Sequence, residues 1–503
     1  MSSITPRTRR LSFTAVLTAL GLASFGATPT QALVLTYDAS GNSGWFATGA
    51  WTATGTSTTW TSGDSAVFDA SPSPGKIAFS GTTAVAGITL ANTVAQTVTL
   101  GNTGNVGTIT MSGGQVTFNS VYRIDVNENV QFQGNYTVNG TGNGALAFNG
   151  TKTAAYVGTA TVNSAQLWFT GASQLGSGSN LIVGGGNLVL RQGNLTFGSL
   201  VINSGSTTLG RVNSLVVASA TTSSFSGSGG TLKVENATTN PMTRGFTVNQ
   251  SANTTFSGTI DGGTGANTSR LLFTKSGSGA LTLDSVVTLK RVTTVNGGHL
   301  YINSTGTKAS FTDDGGGTDA ILVSGGSLGG TGTINITGAD NVSLGAGGAL
   351  TAGLAGVAGT TTIQFDGGSL DLSVATASSN TGWLKFELGS DSTPGTDYDQ
   401  IHLLGGSLNI GTGLNFSDFD FTALSGFEGG SYVLFQTPGA ITGSLGTVTG
   451  LISGFDATLS ISGNNLVMNV VPEPSSLALL GGALLLVLAR RRINPKTSVK
   501  NDL

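Results

Sequence analysis

The sequence predicts an all-β fold built as a solenoid of short strands. The prediction rests on the composition, on the alternation of apolar and polar residues, and on a recurring glycine unit. Of the 503 residues, 79 are glycine, 10 are proline, and only 9% are charged. The apolar residues Val, Ile, Leu and Phe are interleaved with Thr, Ser, Gly and Asn, a mixture that favours strands and tight turns over helices. Low charge together with a mean hydropathy of +0.19 argues against a disordered chain.

A recurring unit, Gly-Gly-x-(Leu/Val) followed by alternating residues, supplies the second observation. Its first glycines are Gly113, Gly185, Gly229, Gly297, Gly325, Gly347, Gly367 and Gly405. In GGTLKV, for example, Leu232 and Val234 share one face of a strand while Lys233 takes the other. Several intervals approximate multiples of about 20 to 24 residues, a period typical of a solenoid whose units bury their apolar faces on neighbouring units. A set of antiparallel sandwiches is the alternative fold, with less reason for a coil-length repeat.

Residues 1–32 have the features of a cleaved export signal. Three arginines lie within residues 7–10, an apolar stretch follows over residues 11–27, and the segment closes with the small-x-small pattern Thr-Gln-Ala. We predict cleavage between Ala32 and Leu33. The mature chain would then begin at Leu33.

The C-terminal stretch VVPEPSSLALLGGALLLVLARRR, residues 470–492, combines three features in order. Pro472, Glu473 and Pro474 precede an apolar run at 475–489, and the run ends at Arg490, Arg491 and Arg492. As a helix the run spans roughly 20 Å, against about 30 Å of bilayer hydrocarbon. The arginines favour a cytoplasmic end by the positive-inside rule. We therefore predict a short transmembrane helix, with a polar cytoplasmic tail at 493–503.

This order of features closely resembles the PEP-CTERM sorting signal of Gram-negative bacteria. The resemblance implies a sorting motif at Pro472, Glu473 and Pro474, and processing by an exosortase of the inner membrane. It further implies transient membrane association through 475–489, cleavage near the motif, and a final location at the cell surface or in the extracellular matrix.

Residues 254–353 resemble the autotransporter-associated β-strand repeat. The matching elements are Phe256-Ser257-Gly258, the run Lys-Ser-Gly-Ser-Gly at 275–279, Leu-Thr-Leu at 281–283, and Val-Asn-Gly-Gly at 295–298. The resemblance implies a right-handed parallel β-helix, like the passengers of autotransporter proteins.

The chain between the two signals divides into three predicted parts. Residues 33–100 are predicted to form N-terminal capping coils, since three of the five tryptophans, Trp45, Trp51 and Trp60, would cover an exposed solenoid end. A sugar-stacking platform is the alternative role for these rings. Residues 101–376 form the predicted solenoid body. Residues 377–469 are predicted to be closing coils or a small terminal β-domain.

Charge and cysteine content exclude several classes of function. Between residues 33 and 471 there are 13 basic and 22 acidic residues, a net charge of −9. Such a weakly charged, acidic body is a poor nucleic-acid binder, because phosphate contacts need clustered Lys and Arg. The absence of cysteine rules out thiol catalysis and Cys-ligated metal sites.

No catalytic, metal or cofactor motif stands out, and we predict none of these sites. Each histidine, His299 and His402, alternates with apolar neighbours as a strand residue does. The acidic loops lack the calcium-binding patterns; their aspartates are Asp313, Asp314, Asp319, Asp391, Asp397 and Asp399. An enzyme on a β-helix would need paired carboxylates, or carboxylates beside basic groups, on adjacent coils. The best candidates are Lys290 with Arg291, and Asp313 with Asp314.

The predicted function is that of an exported β-solenoid with a structural or adhesive role at the cell surface or in the matrix. Its long faces of Thr, Asn and Ser would make many weak contacts that sum by multivalency, with extracellular polysaccharide as the expected partner. The alternatives are a carbohydrate-active enzyme, namely a polysaccharide lyase or hydrolase, and a passive surface spacer.

Overall fold

A computed structural model of the protein shows short parallel strands stacked into four ladders around one apolar core. It describes residues 33–37, 45, 51–53, 56–58, 60–69, 76–91, 97–101, 106–127, 129–141, 143–150, 156–170, 175–191, 194–209, 219–235, 243–263, 269–306, 308–471 and 485–486. The predicted parallel β-solenoid is thereby confirmed, and the alternative of antiparallel sandwiches is wrong. The right-handed sense of the coil stays a prediction.

The first ladder is an 11-stranded sheet at the N-terminal part of the stack. In pairing order its strands are Thr56–Thr58, Trp51–Ala53, Val34–Tyr37, Ser65–Phe68, Gly81–Leu90, Gly107–Phe118, Val130–Gly140, Thr159–Val162, Asn180–Val183, Ser199–Ile202 and Phe225–Ser226. The pairings are parallel except among the first three strands, which pair antiparallel at the end of the solenoid.

The second ladder runs along nearly the whole described body. Its parallel strands are Lys76–Ile77, Val98–Leu100, Arg123–Val126, Ala145–Phe148, Gln166–Phe169, Asn187–Leu190, Ser206–Leu209, Thr231–Val234, Thr259–Asp261, Val286–Leu289, Ala309–Phe311, Thr333–Ile336, Thr360–Phe365, Gln400–Leu404 and Gly430–Gln436. Three antiparallel strands then close this end; they are Thr449–Ile452, Phe455–Ser462 and Asn465–Val471.

The third ladder of the described residues begins at Asn194. On earlier coils an isolated parallel bridge joins Tyr156 and Leu175, which likewise lie between strands of the second and first ladders. The third ladder holds Asn194–Phe197, Ser219–Thr222, Thr243–Asn249, Arg270–Ser276, Thr293–Val295, Asp319–Val323, Asn341–Leu344, Ser369–Asp371, Ser407–Leu414 and Ile441–Leu445. A four-residue helix, Ser373–Thr376, and a 3₁₀ turn, Phe416–Asp418, lie in the connections of the C-terminal coils.

The fourth ladder continues the side that the first ladder begins. A parallel bridge between Gly227 and Phe256 joins the two ladders. The strands of the fourth ladder are Thr254–Phe256, Ala280–Leu283, His299–Ile302, Ser327–Gly329, Ala349–Thr351, Leu384–Leu388 and Phe419–Ala423.

Alternation along each strand builds the core. On the second ladder one inward column is formed by side chains that pair in register from coil to coil and are buried. Its members are Leu146, Leu167, Leu188, Thr207, Leu232, Ile260, Val287, Ala309, Ile334, Ile363 and Leu403. Because side chains two apart share a face, each four-residue strand contributes two residues to this core. Burying these columns against each other is the main source of stability for a chain without disulfides.

Coil lengths are less regular than the sequence predicts. The spacing between paired residues is 19 for Asn180 and Ser199, and 40 for Thr360 and Gln400. The Gly-Gly-x-(Leu/Val) units moreover precede strands of the second, third and fourth ladders, and the unit at Gly113 lies within the strand Gly107–Phe118 of the first ladder. The predicted period of 20 to 24 residues is therefore wrong as a description of every coil, because the glycine pair marks any corner at which the chain turns sharply.

Among the described residues, no helix is both long and apolar enough to cross a membrane. Of the apolar run at 475–489, the structure describes Leu485 and Leu486 alone, and both are exposed. The predicted transmembrane helix therefore lies outside the described residues and stays a prediction.

Candidate binding groove and sorting segment

A groove with a volume of about 210 Å³ opens on the fourth ladder, where the strands Ala349–Thr351, Leu384–Leu388 and Phe419–Ala423 lie side by side. We call it the polar groove. Its wall includes His299, Tyr301, Lys385, Glu387, Asp420 and Thr422. Concave sites that combine aromatic and polar side chains are typical of ligand-binding surfaces.

Strict alternation places the charged side chains of the polar groove. In the strand Leu384–Leu388 the three apolar residues are buried, so Lys385 and Glu387 point outward. Lys385 pairs in register with Asp420 on the next strand, and its Nζ lies 3.1 Å from Asp420 Oδ2. Both side chains are exposed, 41% and 53%, so this ion pair contributes little stability and is open to an approaching ligand.

His299 and Tyr301 form the aromatic side of the polar groove. Their rings stack with centroids 5.5 Å apart and planes 2° from parallel. His299 Nδ1 is hydrogen-bonded to Ser327 Oγ on the next coil. Burial lowers the pKa of His299, and the charges of Lys385 and Lys275 lower it further. A neutral imidazole is therefore the form that faces the groove at neutral pH.

The other two carboxylates of the polar groove anchor a loop. Glu387 accepts backbone hydrogen bonds from Gly356, through Oε1, and from Val357, at 3.1 Å to Oε2. Asp399 accepts them from Gly359 (2.7 Å) and Glu387 (2.8 Å). Burial raises the pKa of Glu387, and it raises the pKa of Asp399 to about 8. All four carboxylate oxygens of Glu387 and Asp399 thus accept hydrogen bonds from backbone amides of the chain itself. Lys385 and Asp420 are the exposed charged groups of the polar groove.

The sequence candidates for catalysis meet in an ion-pair cluster outside the polar groove. Arg291 Nη1 lies 3.5 Å from Asp313 Oδ1, and Asp314 Oδ2 lies 3.3 Å from Arg270 Nη2. The backbone carbonyl of Lys290 accepts a hydrogen bond from the Asp314 amide. The two predicted pairs are therefore neighbours: Arg291 forms an ion pair with Asp313, Asp314 forms one with Arg270, and Lys290 joins Asp314 through the backbone.

The remaining candidates lie apart from one another. His402 is a half-buried residue of the second ladder, paired with Thr362 and Gln436. Asp391 accepts a hydrogen bond from the Ser431 amide at 3.2 Å, on the loop beside the last coils. Among the described residues, no group of three His, Asp or Glu side chains is placed to hold a metal ion.

The described tryptophans at the N-terminal end pack inward. Trp45 is fully buried, and its ring meets Trp60, Phe68 and Phe79 edge to face at 4.9 to 6.0 Å between centroids. Trp45 therefore belongs to the core rather than to a sugar-stacking surface. The side chain of Trp51 lies outside the described residues.

Trp168, an aromatic residue on the outer face of the second ladder, is not among the predicted site residues. Trp168 lies between two guanidinium groups, 5.8 Å from that of Arg123 and 4.8 Å from that of Arg191. Each arginine also pairs with a carboxylate, Arg123 with Asp125 and Arg191 with Glu235. The alternation in QLWF, residues 166–169, predicts this position. Leu167 and Phe169 are buried, so Trp168 between them points outward.

The last strand of the body, Asn465–Val471, leads directly into the predicted sorting segment. It lies between the strands Gly430–Gln436 and Phe455–Ser462 and pairs antiparallel with both. Its residues Leu466, Met468 and Val470 are buried. Ala32, Pro472, Glu473, Pro474, Arg490, Arg491 and Arg492 lie outside the described residues. Leu33 is described and half exposed.

Comparison with known proteins identifies the C-terminal segment. No curated protein matches the chain. The autotransporter identity of the repeat at 254–353 stays a prediction. Residues 470–492 match the family described as the PEP-CTERM protein-sorting motif, so the chain carries a signal that implies export to the envelope or surface of a Gram-negative bacterium and processing by exosortase, a membrane enzyme.

Proposed function

We propose that this protein is a structural and adhesive β-solenoid of the cell surface or extracellular matrix. The observation that supports this best is the position of the sorting motif, which begins within the last strand of the folded body. Cleavage beyond Val471 would release the solenoid with every described strand intact. The body is then the mature product, and the segment after it serves transport.

The route that we propose has three steps. The signal at 1–32 directs export across the inner membrane and is removed before Leu33. The apolar run at 475–489 then holds the chain in that membrane, with Arg490, Arg491 and Arg492 on the cytoplasmic side. Exosortase finally cleaves near Pro472, Glu473 and Pro474.

The outer faces of the solenoid support an adhesive role. Polar side chains on successive coils are hydrogen-bonded to each other, as Asn180 is to Ser199 (2.7 Å) and Asn187 to Ser206 (2.8 Å). Such rows hold hydroxyl and amide groups at the regular spacing of neighbouring strands, about 4.8 Å. A polysaccharide lying along the stack would meet many equivalent weak sites, and their sum would give binding without a deep pocket.

Two places on these faces would add specificity for a sugar. The polar groove supplies the Lys385–Asp420 pair and the His299–Tyr301 stack. Trp168 supplies an indole on the second ladder. Aromatic rings that keep a polar edge are suited to surfaces that bind hydroxyl-rich ligands.

The sorting proposal is tested by the intact mass and terminal sequences of the protein isolated from its native cell surface. We expect an N-terminus at Leu33 and a C-terminus between residues 471 and 492. Replacing Pro472, Glu473 and Pro474 together by Ala should leave the chain uncut in the membrane fraction, whereas Lys496→Ala should change nothing. A native C-terminus beyond Arg492 would contradict the proposal.

The adhesive role is tested by incubating the purified body with extracellular polysaccharides. We expect retention of the polysaccharide at unchanged length. Retention should be weakened by Trp168→Ala but not by Tyr122→Ala, which removes an exposed ring elsewhere. Shortened chains would instead show a carbohydrate-active enzyme. Neither binding nor cleavage would favour a passive spacer. That the protein is not an enzyme stays a prediction until this experiment is done.

A further inference from the structure

A buried carboxylate stands next to the predicted start of the mature chain. The backbone nitrogen of Leu33 donates a hydrogen bond to Asp64 Oδ1 at 3.0 Å. The other oxygen, Oδ2, accepts one from the Thr61 amide at 2.9 Å. Asp64 itself is only 4% exposed.

The contact between the Leu33 nitrogen and Asp64 is fixed by strand pairing. The Ser65 amide donates to the Leu33 carbonyl at 2.8 Å, and Val34–Tyr37 then runs parallel to Ser65–Phe68 in register. Leu35 of the same strand is fully buried in the core. The nitrogen of Leu33 is thereby held over Asp64 by the first coil as a whole.

The charge of Asp64 has no cationic partner among the described residues. Its side chain accepts hydrogen bonds from two neutral backbone amides, those of Leu33 and Thr61. Buried carboxylates are ordinarily paired with a cation, because an ion taken out of water loses much of its solvation free energy. Among the described residues no positive charge therefore balances Asp64, and the Leu33 nitrogen lies at the place where such a charge would meet its carboxylate.

We propose that Asp64 is a binding site for the α-ammonium group that cleavage between Ala32 and Leu33 creates. The inference rests on the proposed removal of residues 1–32. Hydrolysis breaks the bond between the Ala32 carbonyl carbon and the Leu33 nitrogen; water supplies the hydroxyl to Ala32 and a proton to Leu33. The new amine is protonated at neutral pH, since α-amino groups have pKa values of about 7.7 to 8.0.

Processing thus replaces the uncharged amide donor at this site by an ammonium group, so that the hydrogen bond to the Asp64 carboxylate becomes an ion pair. Hydrogen-bonded pairs of opposite charge are among the strong hydrogen bonds of proteins, because the Coulomb attraction adds to the hydrogen bond. The precursor would hold its first coil loosely, and the mature chain would hold it firmly. The outermost coil of a solenoid has a neighbour on one side only, so it gains most from such a clamp.

The experiment compares a chain that begins at Leu33 with one that retains Gln31 and Ala32, both produced directly with those termini. Hydrogen exchange is measured for the amides of Val34–Tyr37 and Ser65–Phe68. We expect roughly tenfold slower exchange in the chain that begins at Leu33, the effect of placing a positive charge on the donor that faces the Asp64 carboxylate. Asp64→Asn should abolish the difference, whereas Asp456→Asn, at an exposed position, should preserve it.

A second measurement keeps the inference testable if Asp64→Asn loosens the first coil in both chains. Acylation of the Leu33 amine at neutral pH should be several-fold slower in the unsubstituted chain than in one carrying Asp64→Asn, because an ion-paired ammonium reacts poorly. Equal exchange in the two chains, or equal acylation rates, would overturn the inference. Because both chains are made with defined termini, these results do not depend on export. A native N-terminus elsewhere would instead contradict the proposed processing.

Discussion

Thr207 is a hydroxyl-bearing residue within the aliphatic column of the second ladder. It is fully buried between Leu188 and Leu232, and its Oγ1 has no hydrogen-bond partner among the described residues. A buried hydroxyl without a partner costs about 1–3 kcal/mol by mutational measurements. Valine has nearly the same shape without this cost.

Thr207→Val should therefore stabilise the protein by roughly 1–2 kcal/mol, seen as a higher urea midpoint. Thr208→Val is the matched control, because the adjacent Thr208 donates to Asn187 Oδ1 at 3.2 Å. That change should be neutral or destabilising. If both variants gained equally, the general gain from replacing a hydroxyl by a methyl group would explain the effect, and the unsatisfied hydroxyl of Thr207 would not.

Asp399 should make stability depend on pH. Its folded-state pKa of about 8 lies well above its value of about 3.9 in an unfolded chain. Between these values the folded state binds more protons than the unfolded state, so the free energy of unfolding should fall as the pH rises from 4 to 8. The raised pKa of Glu387 acts in the same direction.

The measurement is the urea midpoint at several pH values between 4 and 9. Asp399→Asn should flatten the decline, since the amide does not titrate. Asp456→Asn, at an exposed position of the terminal sheet, should leave the decline as it is. Parallel curves for the unsubstituted protein and Asp399→Asn would show that this carboxyl is already ionised in the folded state.

At the scale of the element, the glycine pair is the device that turns one strand into the next. Gly298 has a φ of +63°, and a Cβ there would lie 2.3 Å from the carbonyl oxygen of Gly279 on the preceding coil. Beside this corner, Lys275 is buried and donates to the carbonyls of Ser276, Gly277 and Gly297 at 2.6 to 3.1 Å. The corner thus permits close backbone approach and satisfies the carbonyls that turn away from the ladders.

Gly298→Ala should destabilise the protein by more than Gly306→Ala. Gly306 has a similar φ of +66°, but a Cβ there would meet nothing within 4 Å. The Gly306 variant therefore carries only the strain of positive φ, about 1–2 kcal/mol, whereas the Gly298 variant adds a clash between coils. Thermal unfolding of the two variants measures the difference. Equal losses would mean that the coils can separate at this corner without cost.

The strands and their inward faces were predictable from the sequence, and the coil register was not. Alternation in GGTLKV places Leu232 and Val234 inward, and both are buried. The polar groove, by contrast, joins His299, Lys385 and Asp420, which lie on coils of unequal length. The lengths of the loops between the strands determine which residues pair, and strand periodicity does not predict loop length.

The ion-pair cluster shows the same limit at another corner. Arg291 and Asp313 are candidates from the sequence because a catalytic site on a β-helix would need charged neighbours on adjacent coils. Their pairing with each other is not predictable from the sequence, since 22 residues separate them and packing of the core sets the register between their coils. The local sequence pattern identifies a strand, whereas the strand with which it pairs depends on the length and packing of the whole coil.

At the scale of the whole molecule, both ends of the stack are closed by antiparallel strands. An open parallel ladder leaves unpaired amides and carbonyls that can join another chain. At the N-terminal end Val34–Tyr37, Trp51–Ala53 and Thr56–Thr58 pair antiparallel. At the C-terminal end Thr449–Ile452, Phe455–Ser462 and Asn465–Val471 do so. The described body is therefore bounded by antiparallel strands on the first ladder at one end and on the second ladder at the other.

This closure predicts where the chain can be cut. A chain that ends at Val471 should melt at the same temperature as the longer chain, because no described contact of the body involves residues beyond it. A chain that ends at Asn464 should lose the C-terminal sheet, since the last strand is central in it and buries Leu466, Met468 and Val470. Each buried side chain of this size contributes about 1.5–3 kcal/mol.

Thermal unfolding and limited proteolysis of the two truncated chains distinguish these outcomes. Protease should cut the chain ending at Asn464 within residues 430–462 and spare the same region in the chain ending at Val471. A lower melting temperature for the chain ending at Val471 would mean that the sorting segment packs on the body. Processing would then alter the fold as well as the location. The predicted outcomes follow from the overlap at Val470 and Val471, which belong both to the last strand of the body and to the sorting motif, so that cleavage beyond Val471 would leave that strand whole.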